Sequence, residues 1–346
     1  MYILAFETSC DDTSIAIFKD DQLIAMDTAS QIKIHNKTGW VVPEVAAREH
    51  ANAIFDVLQN TLNEAKLELT DINHIAVTST PGLMPSLLTG LTVARTLWNI
   101  HKVPVLEVNH IQAHIFANFL ERKKSDIEFP LVCLTVSGWH NEIYHMTDMW
   151  DFNRVGGTTD DAAGEAFDKV AKMMWLGYPG WPIVSQLADT YNPKQSFMVQ
   201  NDKKLLKATT LFPRVWLVKD EFDFSFSGLK SAVKREIDKR TGTVWKVAAH
   251  ELTKDDQAEI SYEFQNAVNE VLSYKLINAA KKLWVKTVLL AWWVSANDNL
   301  RDKIAYMSEQ KDITFLSPTK KVFCMDNAAM IWILAYYKIL DQKNWV

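Results

Sequence analysis

The stretch Met1-Tyr-Ile-Leu-Ala-Phe-Glu-Thr-Ser-Cys10-Asp-Asp-Thr-Ser-Ile-Ala-Ile-Phe-Lys19 decides the reading of the fold. Its two apolar runs, Tyr2–Phe6 and Ser14–Lys19, have strand length and flank a polar turn, so they read as a hairpin. A third strand follows at Gln22–Ser30. The pattern returns at Phe129-Pro-Leu-Val-Cys-Leu-Thr-Val136-Ser-Gly-Trp-His140-Asn-Glu-Ile-Tyr-His-Met146, where Leu131–Val136 and Glu142–Met146 pair around Ser137–His140. After the first hairpin come a helix at Pro43–Ala65, a strand at His74–Thr78, a helix at Pro85–His101, a strand at Val105–Val108 and a helix at His110–Lys123. After the second come helices at Asp161–Met174 and Trp181–Thr190 and an irregular segment, Tyr191–Asp223. Helices at Ser231–Arg240 and Thr253–Lys282, a strand at Thr287–Leu290, a helix at Ser295–Glu309, a strand at Ile313–Leu316 and a last helix from Asp326 complete it. Two such halves in succession predict an internally duplicated α/β fold with a boundary near 128/129. No low-complexity linker separates the halves, so a shared central cleft is expected. Hairpin turns and helix N-termini at strand ends are then the phosphate seats.

Composition narrows the class. The chain has 346 residues, 48% hydrophobic and 23% charged, with a net charge of -5. Mean hydropathy is -0.10. That is a folded chain of two ordinary domains, neither disordered nor collagen-like. No apolar run reaches the roughly 20 residues of a membrane span, so no membrane partner is expected. Met1–Glu7 meets a carboxylate too early for a signal peptide. Three scattered cysteines, Cys10, Cys133 and Cys324, form neither a disulfide frame nor a cysteine zinc site, which fits a reducing cytoplasm.

One ratio is abnormal. There are 11 glycines and 13 tryptophans. The glycine share is less than half the usual value of about 7%, and the two types together restore it. Several tryptophans lie in turn contexts: Gly39-Trp40, Gly138-Trp139-His140, Gly180-Trp181-Pro182 and Ala291-Trp292-Trp293-Val294. There a residue free to adopt positive φ is expected. A UGA codon read as glycine by the source, and written as tryptophan, would produce this pattern. The other reading is genuine tryptophan, as core residues or as platforms for nucleic-acid bases. Trp284 and Trp332, at helix-compatible positions, are expected in the core.

Chemistry concentrates in a few places. His110-Ile-Gln-Ala-His114 puts two imidazoles on one helix face, a spacing that suits two ligands of one Zn²⁺ or Fe²⁺. Ile111 stands where the general-base Glu of a zincin would be. Asp326 is the best third ligand, with capping of the last helix as its alternative. Glu7–Thr13 places three carboxylates and three hydroxyls in one turn, suited to a phosphate, a metal or acid–base work, or simply to a polar hairpin. Cys10 lacks a cationic neighbour and is a poor nucleophile candidate. Ser137–His140 would cradle a phosphate with glycine at 139 and would be blocked by tryptophan. Ala291–Asn297 links a strand to a helix and, read with glycines at 292 and 293, would let a nucleotide approach the backbone. Asp160–Lys169 is a further acidic helix start that complements the helix dipole.

Glu7–Thr13, Val42–Ala46, Asn109–His114, Val136–His140, Asp160–Lys169, Asp223–Lys230, Val294–Asn297 and Asp326-Asn327 together resemble the tRNA threonylcarbamoyladenosine transferase family, in its bacterial form. The likeness runs in order from Met1 to about Tyr337. It implies the duplicated actin/Hsp70/sugar-kinase (ribonuclease H-like) fold. Residues 1-128 would carry a partner-binding face and the histidine ligands, and 129-346 the nucleotide loops and the third ligand. The resemblance implies transfer of threonylcarbamoyl from L-threonylcarbamoyladenylate to N6 of the adenosine 3′ to the anticodon in tRNAs reading ANN codons, with release of AMP. It implies one divalent metal, Fe²⁺ rather than Zn²⁺, on His110, His114 and Asp326. The nucleotide would meet Thr135, Val136, Ser137, Gly138, Trp139, Asp168, Trp181, Trp292, Trp293 and Asn297. Trp40, Trp98, Trp150, Trp175 and Trp216 also stand where the family leads one to expect glycine. Asp11, Asp12 and His140 are the candidates for deprotonating the exocyclic amine, and spacing does not choose among them.

A net charge of -5 argues against strong unaided binding of tRNA phosphates. Local patches exist at Arg122–Lys124, Lys203–Lys207 and Lys320-Lys321, each readable as a solvated face. The resemblance implies help from a non-catalytic paralogue subunit (TsaB-like) and a small P-loop ATPase subunit (TsaE-like). A metalloprotease lacks its general base here, and a small-molecule kinase leaves the His110/His114/Asp326 set unexplained. A non-catalytic scaffold is the alternative if the turn tryptophans are real.

Overall fold

The computed structural model describes residues 1–191, 211–216, 221–243 and 250–343. The chain divides into two compact units. The first comprises Met1–Ile127, Leu290–Trp293 and Leu316–Val346, and the second Glu128–Leu289 and Val294–Phe315.

In the first unit β1 (Tyr2–Glu7) and β2 (Asp12–Lys19) form the expected hairpin, with Leu4 opposite Ile17, and β3 (Gln22–Ser30) extends it. A single turn, α1 (Ile32–His35), precedes α2 (Pro43–Ala65), which starts on Pro43 as read. The chain continues through β4 (His74–Thr80), α3 (Met84–His101), β5 (Val105–Asn109) and α4 (His110–Phe116). The sheet order is β3-β2-β1-β4-β5, with β1, β4 and β5 parallel. Ile54, Val57, Leu58 and Leu62 recur at helical spacing along α2 and pack with Leu91, Ala94 and Leu97 of α3. Leu4, Phe6, Ile15 and Ile17 close the same cluster. Each such fully buried side chain stabilises by about 1.5–3 kcal/mol. The loop after β1 lies tight against α3. A Cβ on Gly90 would come 2.5 Å from Thr8 Oγ1, so only glycine fits.

The second unit repeats the order. β6 (Leu131–Val136), β7 (Asn141–Met146) and β8 (Asn153–Gly157) form an antiparallel run. Helices α5 (Ala163–Met173), α6 (Gly180–Thr190), α7 (Ser227–Thr241) and α8 (Lys254–Lys282) follow, then β9 (Thr287–Ala291), α9 (Asp298–Glu309) and β10 (Thr314–Leu316). The sheet order is β10-β9-β6-β7-β8, the same as in the first unit when read from the other edge. Every residue of β6 is buried, as an unbroken apolar run in a central strand requires. The chain then returns to the first unit, where α10 (Ala328–Lys343) packs on β1 and β2. The duplicated α/β reading is thereby met. No helix among the described residues is long and apolar enough to cross a membrane.

Several boundaries depart from expectation. The helix from His110 ends at Phe116, not Lys123: the chain tightens into a 3-10 turn at Ala117–Phe119, then Glu121 turns left-handed (φ 59°) and Arg122 folds back on the Asn118 and Ser317 carbonyls. Strand β8, ending in Gly156-Gly157, lacked an apolar alternation to announce it.

The tryptophans divide differently from the sequence reading. Trp332 is 1% exposed and stacks on Phe18 at 3.6 Å, as expected of a core residue. Trp284 is not in the core: it is 91% exposed, just beyond α8, with φ of 57°. Trp175 lies beyond α5 with φ of 61°, and Trp292 follows β9 with φ of 76°. At the Gly39-Trp40 turn the glycine takes the left-handed conformation (φ 73°), and Trp40, Trp139, Trp181 and Trp293 do not.

Candidate metal centre

α4 is short and begins on its first histidine. Asn109 caps it by accepting from the Gln112 N–H at 3.0 Å, so His110 and His114 lie one turn apart. The segment before α10 brings Asp326 to them. His114 Nε2 lies 3.2 Å from His110 Nε2 and 3.0 Å from Asp326 Oδ1, and His110 Nε2 lies 3.6 Å from that oxygen. All three ligand atoms fall within 4.8 Å of one another. Asp326 does not cap the helix. That role belongs to Asn327, whose Oδ1 accepts from the Met330 N–H at 3.1 Å.

Two imidazole nitrogens and a carboxylate oxygen aimed at one point fit a divalent cation, and the two-histidine, one-carboxylate set suits Fe²⁺ or Zn²⁺. The two Nε2 atoms cannot both hold lone pairs against each other at 3.2 Å without a proton or a cation between them. Burial lowers His114 to about 4, further than its Asp326 bond raises it, so it is neutral at pH 7, as a ligand must be. Burial raises Asp326, yet His110 and His114 outweigh it and hold the carboxyl at about 2.

Sequence reasoning grouped Glu7 with its turn and missed its particular place. Its carboxylate is fully buried at the end of β1. Oε2 lies 3.0 Å from His110 Nδ1 and accepts from Thr78 Oγ1 at 2.5 Å, while Oε1 accepts from the Ser9 N–H at 2.6 Å. Burial pushes Glu7 up, and the His110 charge and hydrogen bond bring it below its ordinary value. A carboxylate behind a ligand histidine fixes its tautomer and ring. A lone Glu closing an otherwise apolar strand was the available signal.

Trp292 also belongs to this group. Its ring stacks on His114 at 4.5 Å, and its Nε1–H donates to Asp326 Oδ1 at 3.3 Å. Trp293 lies in the short turn Trp293–Ala296 that follows.

In the same unit, Asp11 closes the β1–β2 turn and Asp12 opens β2. Burial, then the Asp326 charge, raises Asp11, and burial, then the Asp11 charge, raises Asp12 to about 7. Asp12 Oδ1 is buried with no hydrogen-bond partner. Burial and Asp11 push the Cys10 thiol well up, as expected of a poor nucleophile.

The remaining expected residues lie in the second unit. Thr135 and Val136 end β6, and Ser137–His140 form the hairpin turn. Ser137 Oγ accepts from the Trp139 and His140 N–H groups at 3.1 and 2.9 Å, so the expected phosphate cradle is closed on its own side chain. Gly164 of α5 approaches so closely that a Cβ would meet Gly138 Cα at 2.8 Å. Asp168 Oδ1 accepts from the Gly180 N–H at 2.7 Å and pins the start of α6, beside Trp181. Asn297 is the buried N-cap of α9, accepting from the Leu300 N–H at 2.9 Å and donating to Gln265 Oε1 at 2.8 Å. Asp160 and Asp161 do more than face a helix dipole. Asp160 accepts from Ser227 Oγ and the Phe226 N–H, and Asp161 pairs with Lys169 and Lys230.

Of the basic patches, Arg122 is engaged by backbone carbonyls, and Lys320 pairs with Glu121. Lys203–Lys207 lie outside the described residues.

Comparisons with known proteins give the family and the fold. The model of the TsaD family, tRNA N6-adenosine threonylcarbamoyltransferase, matches residues 22–333. A protein of that name from Fusobacterium nucleatum is 40% identical over 99% of this chain and 93% of its own. One from Desulfotalea psychrophila is 42% identical over 98% and 93%. Among solved structures, full-length HypF matches 98% of this chain and 46% of its own, with a TM-score of 0.59 at 14% identity. Component A of the Acidaminococcus fermentans (R)-2-hydroxyglutaryl-CoA dehydratase matches 98% of both chains, with a TM-score of 0.52 at 14% identity. These two likenesses show the fold, which is the actin-like, sugar-kinase type. Matched over nine-tenths of its length by the family model and by relatives at about 40% identity, the chain belongs to the tRNA N6-adenosine threonylcarbamoyltransferase family.

Proposed function

We propose that this chain transfers the threonylcarbamoyl group of L-threonylcarbamoyladenylate to N6 of the adenosine 3′ to the anticodon in tRNAs reading ANN codons, releasing AMP. Family membership carries the transferase activity on tRNA. The convergence of His110, His114 and Asp326 supports the metal-dependent form of the reading. The relatives are named for the transfer itself, so a non-catalytic scaffold is not favoured.

His110, His114 and Asp326 would hold one divalent metal; the set suits Fe²⁺ or Zn²⁺, and the family resemblance favours Fe²⁺. When bound, the metal supplies Lewis acidity that polarises the acyl donor. Glu7 holds the His110 ring so that Nε2 faces Asp326. Asp12 is the best of the three base candidates, because a carboxylate titrating near 7 is matched to proton transfer at neutral pH. Its Oδ1, which no hydrogen bond engages, would take the N6 proton. Asp11 precedes it in the chain and supplies the charge that helps raise Asp12. The acceptor lies in a single-stranded loop, where a base is presented without breaking a duplex.

In the second unit, Thr135–Trp139, Asp168, Trp181 and Asn297 would line the adenylate side, with His140 at the same turn. Asp168 and Asn297 would act through the helix starts they fix. With a net charge of -5, tRNA affinity would be shared with a TsaB-like paralogue and a TsaE-like ATPase in the cytoplasm.

The test is to incubate the protein and these partners with L-threonylcarbamoyladenylate and an unmodified ANN-reading tRNA. Stoichiometric AMP and N6-threonylcarbamoyladenosine are expected. AMP release without a modified nucleoside would contradict the reading.

A further inference from the structure

We infer that residues 175, 284 and 292, written here as tryptophan, are glycine in the natural polypeptide, inserted at UGA codons. Three observations meet at these positions.

The first is the backbone. Among the described residues eight non-glycine positions have positive φ, and three of them are tryptophans. A bulky L-residue is the least suited to that region, and glycine enters it without steric cost.

The second is where two of them stand. α5 and α8 end in the same hydrogen-bonded closure. Beyond α5, the Leu176 N–H donates to the Ala171 carbonyl at 3.0 Å and the Trp175 N–H to the Lys172 carbonyl at 3.2 Å. Beyond α8, the Val285 N–H donates to the Ala280 carbonyl at 3.0 Å and the Trp284 N–H to the Lys281 carbonyl at 3.3 Å. This is the Schellman motif, and its left-handed residue is most often glycine. α7 ends on such a glycine, Gly242, with φ of 62°. α2 and α3 end on left-handed Lys66 and Lys102, whose charged heads suit water. Trp175 and Trp284 instead present their indoles to solvent, at 94% and 91% exposure. They combine an unfavourable backbone with none of the burial that makes tryptophan worth placing.

The third is the metal centre. Trp292 has φ of 76°, stacks on His114 and donates to the same Asp326 oxygen that faces both histidines. Glycine at 292 relieves the backbone, removes the ring from the ligand face of His114 and leaves Asp326 Oδ1 to the cation. Glycine is scarce, at eleven of 346 residues, which is the direction in which such decoding shifts the count.

The decisive experiment is peptide mass spectrometry of the protein from its natural source, across 171–177 and 282–297, with sequencing of the gene. Peptides lighter at each of the three positions by the difference between an indolylmethyl group and hydrogen, over UGA codons, are expected. UGG codons, or tryptophan mass at any of the three, would overturn the inference. Trp284→Gly made in the chain as written supplies a second readout. Its thermal midpoint should rise, by roughly 2 °C. A lower or unchanged midpoint would contradict the strain on which the inference rests.

Discussion

His110 Nδ1 lies 3.0 Å from the buried Oε2 of Glu7, on the side of the ring opposite the atom that faces Asp326 and His114. Through that contact Glu7 sets which nitrogen His110 presents to them. Glu7→Gln keeps the shape and removes the charge. It should weaken metal affinity by about 10- to 100-fold while leaving the circular dichroism spectrum unchanged. Undiminished affinity in a chelator competition would show that Glu7 is only a buried strand end.

On the proposed reading Asp326 ligates and Asn327 caps, which separates the two roles. Asp326→Ala should abolish metal binding. Asn327→Ala should retain the metal and lower stability by about 1 kcal/mol through loss of the helix cap. Metal analysis and urea unfolding of the two variants check the pair. Equal metal content in both would remove Asp326 from the ligand set.

His50 gives a pH dependence away from the ligands. Its Nδ1 lies 2.7 Å from Thr13 Oγ1 and its Nε2 3.0 Å from the Cys10 carbonyl oxygen. Burial holds its pKa below the ordinary value, against the Cys10 bond. The folded state therefore binds this proton less readily than the unfolded chain. The contribution is present above about pH 6.5 and is lost as pH falls through the depressed folded value. His114, lowered chiefly by burial to about 4, acts with the same sign. His110 opposes it: burial lowers His110, and the Glu7 and Asp326 charges raise it overall. The difference between wild type and His50→Gln isolates the His50 part. Wild type should lose more stability than the variant between about pH 7.5 and about pH 5.5. Parallel curves would contradict the assignment.

Asn297 caps α9 from inside the core and satisfies Gln265. Asn297→Ala removes the cap and strands a buried amide, so it should cost about 2–3 kcal/mol. Chemical denaturation checks this. A loss below about 0.5 kcal/mol would mean the side chain is not structural.

Much of this was legible in the residues. The two hairpins announce themselves because apolar runs of strand length flank polar turns, and α2 because Pro43 marks its start and its apolar stripe keeps helical spacing. The histidine pair is local, so its i, i+4 spacing carried through to geometry. Asp326 joins it from 212 residues away, which no local pattern states. The backbone of Trp284 was missed because helical spacing suggested burial, whereas the helix had already ended at Lys282. The closed Ser137–His140 turn was missed for a similar reason. A Ser two residues ahead of a turn N–H serves a ligand or its own loop, and only the folded turn distinguishes them.

The measurement that tests the central claim most directly is threonylcarbamoyl transfer to tRNA as a function of bound metal, using protein from the natural source. Metal-stripped protein should form no N6-threonylcarbamoyladenosine, and activity should return in proportion to the divalent metal restored, reaching its maximum at one ion per chain. Full transfer by the stripped protein would contradict the account, and would reduce His110, His114 and Asp326 to a buried structural cluster.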